Sequence, residues 1–164
     1  MALDPESIFD RIRAVSPGAE MPEAANGDRF VVVPEPEYRT VMELLKDDPE
    51  LDFDSLMCQA GADDGEFLTV ASFLHSMKHR HKIEIKVNVP REAPVVESVE
   101  DIWKVANYFE RETFDLYGIA FRGHPNLRRI MNPDDWQGWP MRKDYAQPAT
   151  YHGITLEREE QFWD

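Results

Sequence analysis

Cysteine is almost absent from this sequence, which has Cys58 as its only thiol in 164 residues. One cysteine cannot build a disulfide framework or a cysteine-based zinc site, and an iron–sulfur cluster normally takes four protein ligands. We therefore expect no such centre to be built by this chain alone. Cys58 follows Leu56 and Met57, an apolar context more typical of a packing residue than of a nucleophile.

Long apolar runs are also missing, since none approaches the roughly 18 to 20 residues of a membrane-spanning helix. The first residues, MALDPESIFD, lack the basic and apolar segments of a signal peptide. We therefore expect an unprocessed protein of the bacterial cytoplasm. The sequence contains no GxGxxG, P-loop, nucleophile elbow or HExxH motif, so the common signatures of nucleotide binding and hydrolysis are absent.

Basic residues are scarce in the first part of the chain. Residues 1–66 hold 17 acidic and 5 basic side chains, whereas residues 67–164 hold 15 and 13, and the net charge is −14. An acidic surface repels phosphate backbones and anionic lipid headgroups, which argues against nucleic-acid binding and direct membrane binding. The nearly balanced second part is the better candidate for a partner surface.

The hydrophobic content of 42% is sufficient for one folded domain. Apolar residues at helical spacing predict a first helix that ends at Pro17, a second over Tyr38–Leu45, and a third that begins at a Ser98–Asp101 capping box and ends at Gly118. Runs of β-formers or alternating residues predict strands over Phe30–Val33, roughly Phe53–Ala60, Phe67–Leu74 and Lys82–Val89.

This order, α-β-α-β-β-β-α, predicts a two-layer α+β fold with helices packed on a mixed, mostly antiparallel sheet. We assign residues 1–118 to the α+β core. Residues 119–164 form a long irregular extension of the same domain unit, because glycines and prolines interrupt any periodicity there. Its aromatic and arginine residues argue against simple disorder and suggest a binding role.

Three groups of polar residues are candidate sites. His75, His79 and His81 have a spacing that suits a metal only on a helix, and their context predicts a hairpin, so a solvated turn is the better interpretation. Glu110 and Glu112 point about 200° apart on a helix and cannot flank one substrate.

The better interpretation of the acidic group is a structural ion-pair network. In it Arg111 reaches Asp115 at i+4, and Glu110 or Glu112 turns toward an arginine of the following loop. For His124 and the loop arginines, we favour a turn fixed by His-Pro and arginines that fasten the loop to the helix over an anion site.

The stretch ERETFDLYGI at residues 110–119 resembles the signature of the 30-kilodalton subunit, or C subunit, of NADH:quinone oxidoreductase, respiratory complex I. The resemblance continues through FRGHPNLRRIM at 121–131 and PDDWQGWPMRKDY at 133–145, and it covers roughly residues 30–145. It implies a non-catalytic subunit of the peripheral arm. Its expected partners are the quinone-site 49-kilodalton subunit, also called the D subunit, and the cluster-bearing B subunit.

The resemblance further implies that this chain carries no cofactor, with flavin, iron–sulfur clusters and quinone held by partner subunits. The chain would then lie at the cytoplasmic side of the bacterial inner membrane and reach it only through the complex. Arginine and aromatic residues are enriched in interface hot spots. We therefore predict a partner interface made of Arg122, His124, Arg128, Arg129, Trp136, Trp139, Arg142, Lys143 and Tyr145.

Two alternatives remain open at this point. The same module occurs in membrane-bound energy-converting hydrogenases and in ferredoxin-dependent relatives of complex I. A more distant alternative is a stand-alone metal-dependent enzyme that uses His75, His79 and His124.

Overall fold

The computed structural model describes residues 3–22 and 29–156 of the chain. Its centre is a four-stranded sheet in the order β1-β4-β3-β2. The strands are β1 (Val31–Val32), β2 (Ser55–Asp63), β3 (Phe67–His75) and β4 (Lys82–Pro90). β1 runs parallel to β4, and the other neighbouring strands are antiparallel. The predicted mixed, mostly antiparallel sheet is confirmed.

Within these ranges, three α-helices accompany the sheet: α1 (Pro5–Val15), α2 (Tyr38–Asp47), which follows a 3₁₀ turn at Glu35–Glu37, and α3 (Ala106–Tyr117). α1 begins after Asp4, whose carboxylate accepts a hydrogen bond from the Ser7 amide, and Pro5 occupies the first turn. α3 ends at Gly118, whose φ of 72° is the left-handed conformation of a helix C′ residue.

Buried and more exposed residues alternate along β3 and β4, so the two faces of the sheet differ. Leu68, Val70 and Leu74 of β3 are buried and belong to one apolar core together with residues of α1 and α2. The opposite face carries Phe67 and Phe73, each 40% exposed. One face of the sheet therefore holds the core, and the other is left open by the described residues.

The third helix starts later than predicted. The Ser98 side chain does not cap it, and the chain runs through turns until Ala106. The Ser98 hydroxyl instead donates to Glu110 at 2.5 Å, and the Glu100 amide donates to the Ser98 hydroxyl at 3.3 Å. Ser98, which the capping pattern assigned to the helix terminus, therefore binds the buried Glu110 carboxylate on α3 instead.

The segment after Gly118 is less irregular than predicted. β6 (Ala120–Arg122) pairs in parallel with β5 (Val95–Glu97), and β7 (Thr150–Tyr151) pairs with β8 (Ile154–Thr155). These two small sheets are too short to produce a periodic pattern in the sequence. The end of the predicted extension, residues 157–164, lies outside the described residues.

A helix that spans a membrane must be both long and apolar. No helix in the described ranges meets these two requirements.

Candidate functional site

Asp115, on the last turn of α3, organises the loop that follows the helix. Its side chain is completely buried. One carboxylate oxygen accepts hydrogen bonds from the backbone amides of Ile130, Met131 and Asn132, at 2.9, 2.6 and 2.9 Å. The other accepts from the Asn132 side chain at 2.9 Å and from the Arg129 guanidinium at 2.8 Å. One helical side chain therefore fixes the path of residues 129–132.

The protonation state of Asp115 follows from these contacts. Burial alone would raise its pKa, but the hydrogen bonds from Asn132, Met131 and Arg129 outweigh burial and lower the pKa to about 2. The carboxylate is therefore ionised at neutral pH, where it accepts charge-assisted hydrogen bonds.

Arg129 connects this anchor to Trp139. Its guanidinium lies 4.5 Å from the centre of the Trp139 ring and donates to the Gly138 carbonyl at 2.9 Å. The indole in turn packs on the end of α3: a Cβ atom at Gly118 would lie 2.5 Å from the Trp139 ring. Glycine is thus required at 118 both for its φ of 72° and for the approach of the indole.

Gly118→Ala is expected to destabilise the protein by about 2 kcal/mol, because a Cβ adds left-handed strain and displaces the indole. Gly123→Ala is the matched control. Gly123 has a φ of +85°, and a Cβ added there would have no atom within 4 Å, so only the strain of about 1 kcal/mol applies. Urea denaturation of both variants measures the difference. Equal losses of stability in the two variants would contradict a contribution from the contact with Trp139.

A second contact fastens the loop to the β2–β3 turn. The Asp63 carboxylate accepts from the Lys143 amide at 2.8 Å and pairs with Arg91, which also contacts Asp144 at 2.8 Å. Arg142 Nε donates to the carbonyl of the last residue of α3 at 2.6 Å. The loop is therefore held at two separate places along its length.

The ion pairs differ from the predicted network. Asp115 pairs with Arg129 rather than with Arg111 at i−4. The Arg111 guanidinium, although buried, donates to the Arg128 carbonyl at 3.4 Å. The arginine that meets Asp115 thus comes from the loop, fourteen residues later in the chain.

Glu110 and Glu112 also depart from that network. Glu110 is fully buried and accepts from the Ser98 hydroxyl at 2.5 Å and the Val99 amide at 2.8 Å. Burial raises its pKa to about 7. Glu112 is exposed, and neither glutamate forms an ion pair within residues 3–22 and 29–156. Glu110 thus connects α3 to the preceding turn by hydrogen bonds rather than through an arginine.

The nine residues predicted for a partner interface fall into two groups. The structure places the aromatic residues and two of the arginines partly inside the domain: Arg129, Trp136, Trp139, Arg142 and Tyr145 are half-buried. The remaining four lie farther out, with Arg122, Arg128 and Lys143 exposed and His124 half-buried. Of these, Arg122 pairs with Glu97 at 2.6 Å.

Three of the histidines that were considered as metal ligands contact backbone carbonyls. The Nε2 atoms of His79, His81 and His124 contact the carbonyls of Pro49, Leu51 and Asn107 at 3.0, 2.5 and 3.1 Å. For His124, the other ring nitrogen accepts a hydrogen bond from the Asn126 amide at 3.0 Å. No cluster of three or more potential metal ligands occurs within the described residues.

Exposed apolar side chains are the feature of this region that sequence patterns did not predict. Tyr108 and Met131 are each 64% exposed, Met141 is 53% exposed and Ile130 is 37% exposed. The Met131 amide donates to Asp115, and the Met141 amide donates to the Leu116 carbonyl at 3.1 Å, so both methionines are held at the end of α3. We call Ile130, Met131 and Met141 the loop surface.

Comparison with known proteins gives consistent matches. Residues 31–151 match the family model described as the respiratory-chain NADH dehydrogenase 30 Kd subunit. The NADH-quinone oxidoreductase C subunit of Roseiflexus sp. (strain RS-1) is 43% identical over an alignment of 164 positions, which covers 97% of this chain and 94% of the relative. The C subunit of Chloroherpeton thalassium is 42% identical over 73% of this chain, and the match spans 50% of that longer relative.

Solved structures agree with these sequence matches. The trypsin-resistant fragment (1-134) of Nqo5 is 30% identical with a TM-score of 0.65, over 74% of this chain and 98% of that one. A chain of the membrane-bound sulfane sulfur reductase, an archaeal respiratory membrane complex, shares the fold at 21% identity and a TM-score of 0.69, over 86% of this chain and 85% of that one. The chain therefore belongs to the family of the respiratory NADH dehydrogenase 30-kilodalton subunit, which is the C subunit of NADH-quinone oxidoreductase.

Proposed function

We propose that this chain is a non-catalytic, cofactor-free subunit of the peripheral arm of NADH:quinone oxidoreductase. It docks through the loop surface to the 49-kilodalton subunit and to the neighbouring B subunit. Flavin, iron–sulfur clusters and quinone are then held by partner subunits. The chain reaches the membrane only as part of the complex, on its cytoplasmic side.

The observation that carries this proposal is the contrast between the two sides of the loop. Charged and aromatic residues on its inner side are used to fasten it, as in the Asp115–Arg129–Trp139 contacts. Met131 and Met141 on its outer side remain exposed although both are apolar. A rigidly held apolar surface is typical of a protein interface, because its side chains lose little further freedom on binding.

The predicted interface is thereby revised but kept within the same segment. Arg128 and Lys143 are exposed beside the loop surface and suit the polar rim of such an interface. Arg129, Trp139 and Arg142 are then supporting residues, which shape the surface without being its principal contacts. This division is part of the proposal and can be tested by substitution on either side of the loop.

Met131→Glu is expected to reduce the amount of this chain that co-purifies with a tagged 49-kilodalton subunit by about tenfold or more. A charge placed in a desolvated interface costs more than the roughly 1.4 kcal/mol that corresponds to tenfold. The measurement is quantitative mass spectrometry of the complex purified from cells that produce the variant at the wild-type level. The B subunit in the same sample reports whether the rest of the arm has assembled.

Met77→Glu is the matched control, because Met77 is also 64% exposed but lies in the β3–β4 turn. It is expected to leave co-purification unchanged, and circular dichroism of both isolated variants confirms folding. Normal assembly of Met131→Glu would refute docking through the loop surface. Co-purification of a nickel-binding large subunit in place of the 49-kilodalton subunit would favour the hydrogenase-type alternative.

A further inference from the structure

The open face of the main sheet is a second apolar surface, at the opposite side of the sheet from the core. Three cross-strand pairs of β2 and β3 follow one another along it: Cys58 with Phe73, Ala60 with Ala71, and Ala62 with Thr69. Cys58, Ala60 and Ala62 are all exposed. β2 is an edge strand of nine residues, and residues 55–62 carry no charge.

A groove of about 510 Å³ lies at one end of this face and is lined by Met57, Phe73 and Ile83. Met57 sits where the β2–β3 register shifts, and it is 53% exposed. Phe67, 40% exposed, lies at the other end of the face. Large apolar side chains therefore stand at both ends of a strip of alanines.

Charged residues of both signs border this face. Arg29, Lys82 and Glu84 line the groove, and Lys86 follows on β4. Arg29 pairs with Glu6, and Lys86 pairs with Glu84 at 3.2 Å. Within the part of the chain that is described, Lys82 makes no ion pair.

We propose that this open face of β2 and β3 is a second docking surface, occupied by a helix of another subunit that is apolar on one side and acidic along one edge. The inference rests on the proposed function, because it requires the chain to be part of a larger complex. Complementarity of charge selects the acidic edge, which would lie against Lys82, the basic residue of this border that makes no ion pair within the described residues. The apolar side would lie over the alanine pairs.

A helix fits this surface better than a further strand at the edge of β2. Alanine side chains are small and leave a flat surface, so the side chains of a helix can pack directly on the strands. Met57 and Phe67 lie at the two ends of this surface. Five residue steps along β2 span about 17 Å, a length covered by about 11 residues of helix. The other face of the same sheet is already packed against α1 and α2 in this way.

Cys58 provides a direct test, because it is the only cysteine of the chain and it lies on this face. The rate of its alkylation by N-ethylmaleimide is measured by peptide mass spectrometry, in the isolated chain and in the complex purified by a tag on the 49-kilodalton subunit. We expect the rate to fall by about tenfold or more in the complex, since a covered thiol reacts only when the cover opens. An unchanged rate would overturn the proposal.

The identity of the occupant is tested by replacing Phe73 with a photo-crosslinking phenylalanine analogue in the same complex. The expected product is a crosslink to a helical segment of another subunit that combines apolar and acidic residues. A crosslink only to a second copy of this chain, to lipid or to no protein would overturn the proposal. Absence of the wild-type chain from the purified complex would instead overturn the proposed function, and this inference with it.

Discussion

Asp115→Ala is expected to lower the free energy of unfolding by about 3 to 5 kcal/mol, the usual cost of removing one partner of a buried ion pair. The substitution leaves the Arg129 guanidinium, which is only 11% exposed, without its carboxylate. It also removes the acceptor of three backbone amides, from Ile130 to Asn132. The loop after α3 should therefore come away from the helix while the sheet remains folded.

Two measurements distinguish loss of the loop from loss of the whole fold. Urea denaturation gives the change in stability, and brief trypsin digestion followed by mass spectrometry reports cleavage after Arg128 and Arg129, which should become faster than in the wild type. Asp134→Ala is the matched control: Asp134 is exposed and makes no hydrogen bond within the described residues. Equal stability and equal cleavage in the two variants would refute the anchoring role of Asp115.

The effect of Asp115 also has a defined pH dependence. The pKa of Asp115 is lowered to about 2 in the folded chain from an ordinary value of 3.8, so its contribution is present above pH 3.8 and is lost as the pH falls through 2. This contribution is about 2 kcal/mol. The stability difference between wild type and Asp115→Ala should therefore shrink by that amount as the solution is acidified.

The parts of the fold that the sequence predicted are those with a strong local pattern. β4 alternates apolar and polar residues from Lys82 onward, and α2 repeats apolar residues on one face, so period and burial agree in both elements. The parallel pairing of β5 with β6 has no such signal, because it joins three-residue strands that are far apart in the chain. The predicted start of α3 was wrong because a distant glutamate binds Ser98.

The partner interface after Gly118 stays a prediction, and the orientation of its side chains could not be predicted from the sequence. The sequence predicts that arginine and tryptophan residues there bind a partner, but composition alone cannot tell whether such side chains face a partner or their own domain. Arg129 turns inward because Asp115 and Trp139 offer it a carboxylate and an aromatic ring together. Met131 is exposed, although its amide is bound to the same carboxylate. Neither orientation is encoded by a local pattern.

Glu110 is expected to have the second large effect on stability, and the pH dependence of this effect is opposite in sign to that of Asp115. Burial raises its pKa to about 7 from an ordinary value of 4.5. The folded chain therefore keeps a proton that the unfolded chain has lost between these two values, and stability falls as the pH rises from 4.5 through 7. For a shift of this size the loss is about 3 kcal/mol.

Glu110→Gln should abolish this loss, because the amide stays neutral at every pH while it can still donate to the Ser98 hydroxyl and accept from the Val99 amide. Relative to wild type, the variant should gain about 3 kcal/mol between pH 4 and pH 8, measured by urea denaturation at each pH. Glu112→Gln, on the exposed side of the same helix, should show no such gain. If the free energy of unfolding had the same pH dependence in wild type and Glu110→Gln, Glu110 would be ionised in the folded chain. Its two hydrogen bonds would then outweigh the free-energy cost of burying its charge.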